Sequence, residues 1–282
     1  MIKKSDIEKY KDTNRILIQE KNVCIYVLPH ISLKQYISNY TITFPQSAIS
    51  TNAITENYTV LPHGSATLVI EVVTDNISID LSGPATIPDV VGASAIQKEI
   101  LVIVEFQPAG LFALTGITQT ELTDKAIPLD LIDPILNGLI REIIEKSDSI
   151  EMLVSELDTI FYKSCKHPYS SQMKSAIYEI IKYSGVLPIK NVSQNLHYSE
   201  RQLGRIFNQH LGTSPKLFSR LVRINYALRL LRNTTKTIET ISGLTGYHDS
   251  SHFFRDFKSV CEITPKEFRL KMSDFYNEIN KF

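Results

Sequence analysis

Two hydrophobic periods divide the chain. Over residues 22–108, short apolar runs alternate with turn formers. Residues 23–28, 40–44, 66–73, 76–81 and 100–106 are such runs, and Pro45, Gly64, Gly83-Pro84 and Pro108-Ala109-Gly110 punctuate them. Short β-rich runs at this spacing predict strands of a small barrel or sandwich. Residues 1–20 are polar and read as a short helix or a loose arm. From residue 111 the period changes to three and four. Residues 111–116 predict a short helix. Ile132, Ile135, Leu136, Leu139, Ile140, Ile143 and Ile144 make one stripe, with Pro134 in its first turn. Ile150, Leu153, Val154, Leu157, Ile160 and Phe161 make a second. Packing of both helices within the chain is the favoured reading, and pairing with another subunit is the alternative.

The last third carries one pattern twice. Residues 192–207 read VSQNLHYSERQLGRIF, and residues 241–257 read ISGLTGYHDSSHFFRDF. Before the turn the copies are offset by 49 residues (Val192 with Ile241) and after it by 50 (Leu203 with Phe253, Phe207 with Phe257). One extra residue in the second turn accounts for the change. Each copy predicts helix, tight turn, helix. Ser199 is placed to cap, with Gln202 completing a capping box, and Asp249 is the matching cap. Leu203, Ile206 and Phe207 in one copy, and Phe253 and Phe257 in the other, predict buried faces. Ser193 and Ser242 let the paired helices approach closely. Ser214-Pro215 opens a long helix between the copies, with Leu217, Leu221, Ile224, Leu228 and Leu231 inward. Its charges are Lys216, Arg220, Arg223, Arg229 and Arg232. A helix on Met173, Ile177, Ile180 and Ile181, with Gly185 as C-cap, precedes the first copy. Thr264-Pro265-Lys266-Glu267 starts a last one.

These residues resemble the two halves of the AraC/XylS-type DNA-binding domain. The segments SERQLGRIF and GTSPKLF match one half, and GYHDSSHFFRDFK and ITPKEFR the other. The resemblance covers about the last 110 residues. It implies promoter binding, often with activation, and two helices read from adjacent major grooves about 34 Å apart. Carried over residue by residue, it points to Arg201, Gln202, Arg205 and Asn208 in the first copy. In the second it points to Ser250, Ser251, His252, Arg255 and Lys258. Arginine there can pair with guanine, and Lys258 fits a phosphate contact. Phe254 is either core or a contact to a thymine methyl group, and Gly204 offers no side chain to a base. The segments PHGSATLVIEV, LSGP and IVEFQPAGLFALTGI resemble, more weakly, a small domain that precedes this module in some bacterial regulators.

Charge sharpens the division. The net charge of zero hides 13 basic and 21 acidic residues over 1–167, against 17 and 9 over 168–282. Such asymmetry fits a nucleic-acid-binding half joined to something else. The sign changes at 163–171, the best linker. Three scattered cysteines suggest no disulfide framework and a reducing compartment. No signal peptide or membrane span is apparent, and a cytoplasmic protein is expected. His63 lacks the neighbours a metal site needs, so neither metal nor cofactor is expected. Glu71 and Glu105 read as strand-face charges, with ligand contacts in a barrel mouth as the lesser alternative. No catalytic constellation is evident, so an enzyme is not expected.

The expected architecture is α+β. A β-rich barrel or sandwich with two following helices spans 1–165. An all-α domain with two helix-turn-helix motifs joined by a long helix spans 166–282. The expected function is sequence-specific DNA-binding regulation, with an N-terminal sensor or dimerisation domain. Expected partners are double-stranded DNA, RNA polymerase, a small-molecule effector and a second copy of the chain. The alternatives are an N-terminal domain that is only a protein-interaction module, and an enzymatic barrel fused to a DNA-binding tail.

Overall fold

The computed structural model describes residues 1–20, 23–45, 57–74, 76–95, 97–165 and 167–272. Among these residues nine strands come first: β1 Ile16–Glu20, β2 Cys24–Val27, β3 Ile37–Thr43, β4 Thr59–Val60, β5 Thr67–Val73, β6 Asn76–Ser82, β7 Asp89–Val90, β8 Ile100–Phe106 and β9 Ala126–Pro128. Seven form one antiparallel sheet in the order β1-β2-β3-β8-β5-β6-β9, and β4 and β7 form a separate ribbon. The β-rich expectation holds, and the sheet is open, with β1 and β9 at its edges.

Alternation along these strands gives the sheet two unlike faces. Ile25, Tyr40, Ile42, Leu68, Ile70, Val102, Val104 and Phe106 point to the main core. Two helices cover that face: α3 Pro134–Lys146 and α4 Ile150–Lys163, entered after α1 Gly92–Ala95 and α2 Gly110–Thr115. Leu136, Ile140, Ile143, Leu153, Leu157 and Phe161 complete the core. Packing within the chain therefore accounts for most of both stripes. Ile135 and Leu139 are the exceptions, 77% and 44% exposed, because α3 is rotated to bury its Ile140–Ile144 side. The opposite face carries Thr41, Ile103 and Val69 in one cross-strand row, and Asn39, Glu105 and Thr67 in the next.

The N-terminal segment is no loose arm. Residues 4–6 and 13–15 are 3-10 turns and β1 pairs with β2. Arg15 reaches the Asp158 carboxylate of α4 at 2.7 Å, and that carboxylate also accepts from the Tyr40 hydroxyl at 2.9 Å and the His30 amide at 3.0 Å. A buried carboxylate with three donors is stable only as a set, and the set fixes the arm. Sequence pattern alone does not reveal a partner 143 residues away.

The rest is helical: α5 Ser171–Lys182, α6 Ile189–Asn195, α7 Glu200–Leu211, α8 Pro215–Asn233, α9 Ile238–Leu244, α10 Ser250–Cys261 and α11 Pro265–Leu270. The long helix α8 buries more than its leucine stripe. Phe218, Val222, Asn225 and Ala227 are buried too. It shares one core with α5 to α7 through Phe218 and Val222, and another with α9 to α11 through Leu221, Ile224 and Leu228. Gly185 takes φ +71, and a Cβ there would lie 2.0 Å from the Ser219 carbonyl oxygen. The turn after α5 therefore requires glycine to sit on α8.

The two parts touch along the segment joining them and beyond it. The His167 amide donates to Ala113 O at 2.9 Å, and the Tyr169 hydroxyl to Pro108 O at 2.7 Å, so the 163–171 linker is pinned; its Lys166 lies outside the described residues. Residues 119–123 meet the end of α7. Residues 61–64 meet α8, where the Asn225 amide donates to Pro62 O at 2.9 Å and Leu61 joins the α9 to α11 core.

Candidate nucleic-acid interface

Both copies of the repeat fold as helix, turn, helix by the same local means. In the first, the Tyr198 amide donates to Ser193 O at 2.9 Å. In the second, the Tyr247 amide donates to Ser242 O at 3.1 Å. Ser193 and Ser242 are both buried, as close helix approach requires. Left-handed residues make the bends, His197 at φ 57 in one and Gly246 at φ 77 in the other. Ser199 Oγ accepts from the Gln202 amide at 3.2 Å while Gln202 Oε1 accepts from the Ser199 amide at 2.9 Å, a complete capping box. Asp249 Oδ1 accepts from the His252 amide at 2.7 Å.

These caps fix what each second helix shows to solvent. Leu203, Phe207 and Leu211 of α7 are buried, as are Phe253, Phe257 and Val260 of α10. Opposite them, Arg201, Arg205 and Asn208 are exposed on α7, and Ser251, His252, Arg255 and Lys258 on α10. Ser250 is half-buried. The Gln202 side chain is exposed, but its carbonyl serves the cap. The His252 ring meets Tyr247 edge-on at 5.2 Å. Phe254 is half-buried against the α9 to α11 core, which answers the choice between core and surface mostly in favour of core.

The arginines fall into two sets. Those of α8 are engaged: Arg220 Nε pairs with Asp256 Oδ1 at 2.7 Å, Arg223 donates to Gly185 O at 2.6 Å, and Arg232 lies over Phe268. Burial holds the Arg232 and Arg229 guanidinium groups below their ordinary value. Among the described residues, no acid pairs with Arg201, Arg205 or Arg255. Their charges face solvent with no internal partner among the described residues.

One feature of α7 escapes sequence reasoning. Its C-terminal carbonyls are capped from the N-terminal part: Gln119 N donates to Gln209 O at 2.9 Å, Thr120 Oγ1 to Asn208 O at 3.1 Å and Thr123 Oγ1 to Gly212 O at 2.7 Å. The His210 ring stacks on Phe112 with centroids 3.8 Å apart, and the His167 ring lies 5.5 Å from Phe112. No local pattern signals a contact of this range.

Elsewhere, His63 is buried and bonds through Nδ1 to Ser65 Oγ at 3.1 Å. Among the described residues no three His, Cys, Asp or Glu side chains gather as a metal would need. No helix among them is long and apolar enough to cross a membrane.

Residues 192–271 match the family described as a helix-turn-helix domain, and residues 26–128 match a domain of unknown function, DUF6597. An uncharacterised HTH-type transcriptional regulator, YisR of Bacillus subtilis, is 33% identical over 87 residues, 31% of this chain and 30% of that protein. The arabinose operon regulatory protein of Escherichia coli is 26% identical over 176 residues, 60% of each chain. A solved transcriptional regulator with an AraC-type DNA-binding domain, from Chromobacterium violaceum, is 30% identical. It covers 36% of this chain and 90% of its own, with a TM-score of 0.34. The chain spans about a third of the length of the first curated relatives it matches. With both motifs formed and matched, residues 192–271 are a helix-turn-helix domain of the AraC type.

Proposed function

We propose that this protein is a bacterial transcription regulator that binds double-stranded DNA through α7 and α10, placed in two adjacent major grooves. The observation that carries the reading is the pair of equivalent, capped helices presenting Arg205 and Arg255 to solvent without an internal partner. An exposed cation with no acid beside it keeps its full charge for a phosphate or a guanine edge. Arg201, Asn208, Ser251 and His252 are the further candidates for base or backbone contact, with Gln202 and Ser250 at the rim. Lys258 is assigned to phosphate. The relatives named are transcription regulators, which favours regulation over catalysis.

In this reading residues 1–165 regulate and residues 166–282 bind DNA in the cytoplasm. The N-terminal part senses a small molecule, since one face of its sheet borders a cavity of about 260 Å³. A second copy and RNA polymerase are the macromolecular partners; activation is the expected direction. Exposed Ile135 and Leu139 on α3 give a second copy an apolar surface. The test is selection of genomic fragments by the purified full chain across salt concentrations. Recovery of one site spanning two adjacent major grooves, weakening steeply with salt, is expected. Binding that is equal for all fragments overturns the reading.

A further inference from the structure

The outer face of the sheet is polar in a particular way. Tyr26, Val69, Leu101 and Ile103 line the cavity from the strands, and Tyr58, Val60 and His63 line it from the segment that covers them. Every formally charged side chain among the described lining residues is acidic: Glu20, Glu71, Asp89 and Glu105. Glu71 is matched by Lys98 at 2.5 Å. Glu105 is 3% exposed and accepts from Thr67 Oγ1 at 3.1 Å. On the neighbouring strand the carboxyl of Asp80 is raised, first by burial and then by Glu71.

An anionic guest would bring a second negative charge close to a buried carboxylate, where attraction and repulsion are several times stronger than in water. An organic cation gains from Glu105 and from any tyrosine face it meets, a combination used for ammonium recognition. The volume lies below the usual range for drug-sized ligands, which limits the guest to a compact one.

The covering segment also faces the other way. Between Val60 and His63, which line the cavity, Leu61 is buried in the core of α9 to α11, and Pro62 O accepts from Asn225 of α8. Gly64 takes φ +66, and a Cβ there would lie 2.9 Å from Leu221 Cδ1. A guest that displaces Val60 or His63 moves residues locked to the helix that joins the two motifs.

We propose that this cavity binds a compact organic ammonium ion, and that its occupancy is transmitted to the DNA-binding helices through Tyr58–Gly64 and α8. The transmission rests on the regulator reading above; the binding does not. The test uses the full chain with three probes of one shape: n-butylammonium, butan-1-ol and pentanoate. Melting temperature and tyrosine fluorescence are followed at matched ionic strength; the chain has 13 tyrosines and no tryptophan. Saturable stabilisation by butylammonium is expected, at least tenfold tighter than by butanol, with none by pentanoate. Glu105→Gln should weaken the amine at least tenfold, and Val69→Phe, which fills the cavity, should abolish binding. Pentanoate equal to the amine, no saturable response to any probe, or an unchanged Glu105→Gln overturns the site. DNA affinity is then measured with and without butylammonium. A shift of threefold or more that Asn225→Leu removes supports transmission, and constant affinity overturns it. If no DNA is bound in either state, the regulator reading fails, while the melting data still decide the site.

Discussion

The Thr123 hydroxyl donates to the Gly212 carbonyl oxygen across 2.7 Å, so a residue of the N-terminal part closes the helix that carries Arg201 and Arg205. The last carbonyls of a helix have no partner within it; here Gln119 and Thr120 donate to two of them, on Gln209 and Asn208, and Thr123 donates to the C-cap Gly212. Gly212 holds φ +68, and a Cβ would stand 2.7 Å from Gln119 O and 2.6 Å from Thr123 Oγ1. Gly204, in the same helix, has nothing within 4 Å of its Cβ position. Gly212→Ala should therefore cost about 1–3 kcal/mol, from the left-handed backbone and the collision together. Gly204→Ala should stabilise by about 1 kcal/mol, since alanine is the better helix former. Urea unfolding of the two variants measures both. Equal effects would refute the docking of α7 on residues 119–123.

Arg205→Ala and Arg255→Ala should each weaken binding to the selected DNA site by about 1–3 kcal/mol, roughly 5- to 150-fold, the worth of a good base contact. Melting temperature should not change, because neither guanidinium has an internal partner among the described residues. Arg220→Ala should do the reverse in part, lowering stability by removing the Asp256 pair that joins α8 to α10. Mobility shifts at fixed salt, beside melting curves, separate the two classes. If Arg205→Ala and Arg255→Ala both bind as well as the parent chain, α7 and α10 are not the reading helices.

The contrast between Arg205 and Arg220 marks how much the sequence could disclose. The helix-turn-helix pairs were legible because their determinants lie within ten residues of each other: Ser199 with Gln202, Asp249 with His252, and apolar spacings of three and four. Most strands were legible by alternation, and residues 100–106 coincide with β8. Strand β1 was not, since its ILIQE offers too short a pattern, although the run at 23–28 that contains its partner β2 was legible. The loss of Ile135 and Leu139 from the α3 core was not legible either. Periodicity names a face, and only the neighbouring sheet decides how far round the helix burial extends. Least visible were Leu61 in the α9 to α11 core and Thr123 on Gly212, contacts whose partners lie far away in the chain.

Asp158 should be the most sensitive polar position in the N-terminal part. Its carboxylate holds Arg15, Tyr40 and the His30 amide together. Removing one member of such a buried set strands the others, at about 3 kcal/mol. Asp158→Ala should lower the urea midpoint accordingly and expose the segment before β1 to protease. Arg15→Met with Asp158→Leu, which leaves no charge behind, should recover part of the loss. A destabilisation of the single variant no larger than that of an exposed residue would mean the arm is held by apolar contact alone.

The stack of His210 on Phe112 makes the junction of the two parts sensitive to acid. Burial first, and then the nearby His167, lowers the His210 imidazole below its ordinary value of 6.5. A group lowered in this way is neutral in the folded chain over a range where the unfolded chain already takes a proton. Above the ordinary value both states are neutral and stability is complete. As pH falls below it the unfolded state binds the proton first, so stability drops until the folded value is passed. The melting temperature of the parent chain should therefore fall between pH 7 and pH 5. His210→Phe keeps an aromatic ring on Phe112 without a titrating group and should fall less. If the parent and His210→Phe lose stability in parallel over that range, the acid response arises elsewhere than at His210.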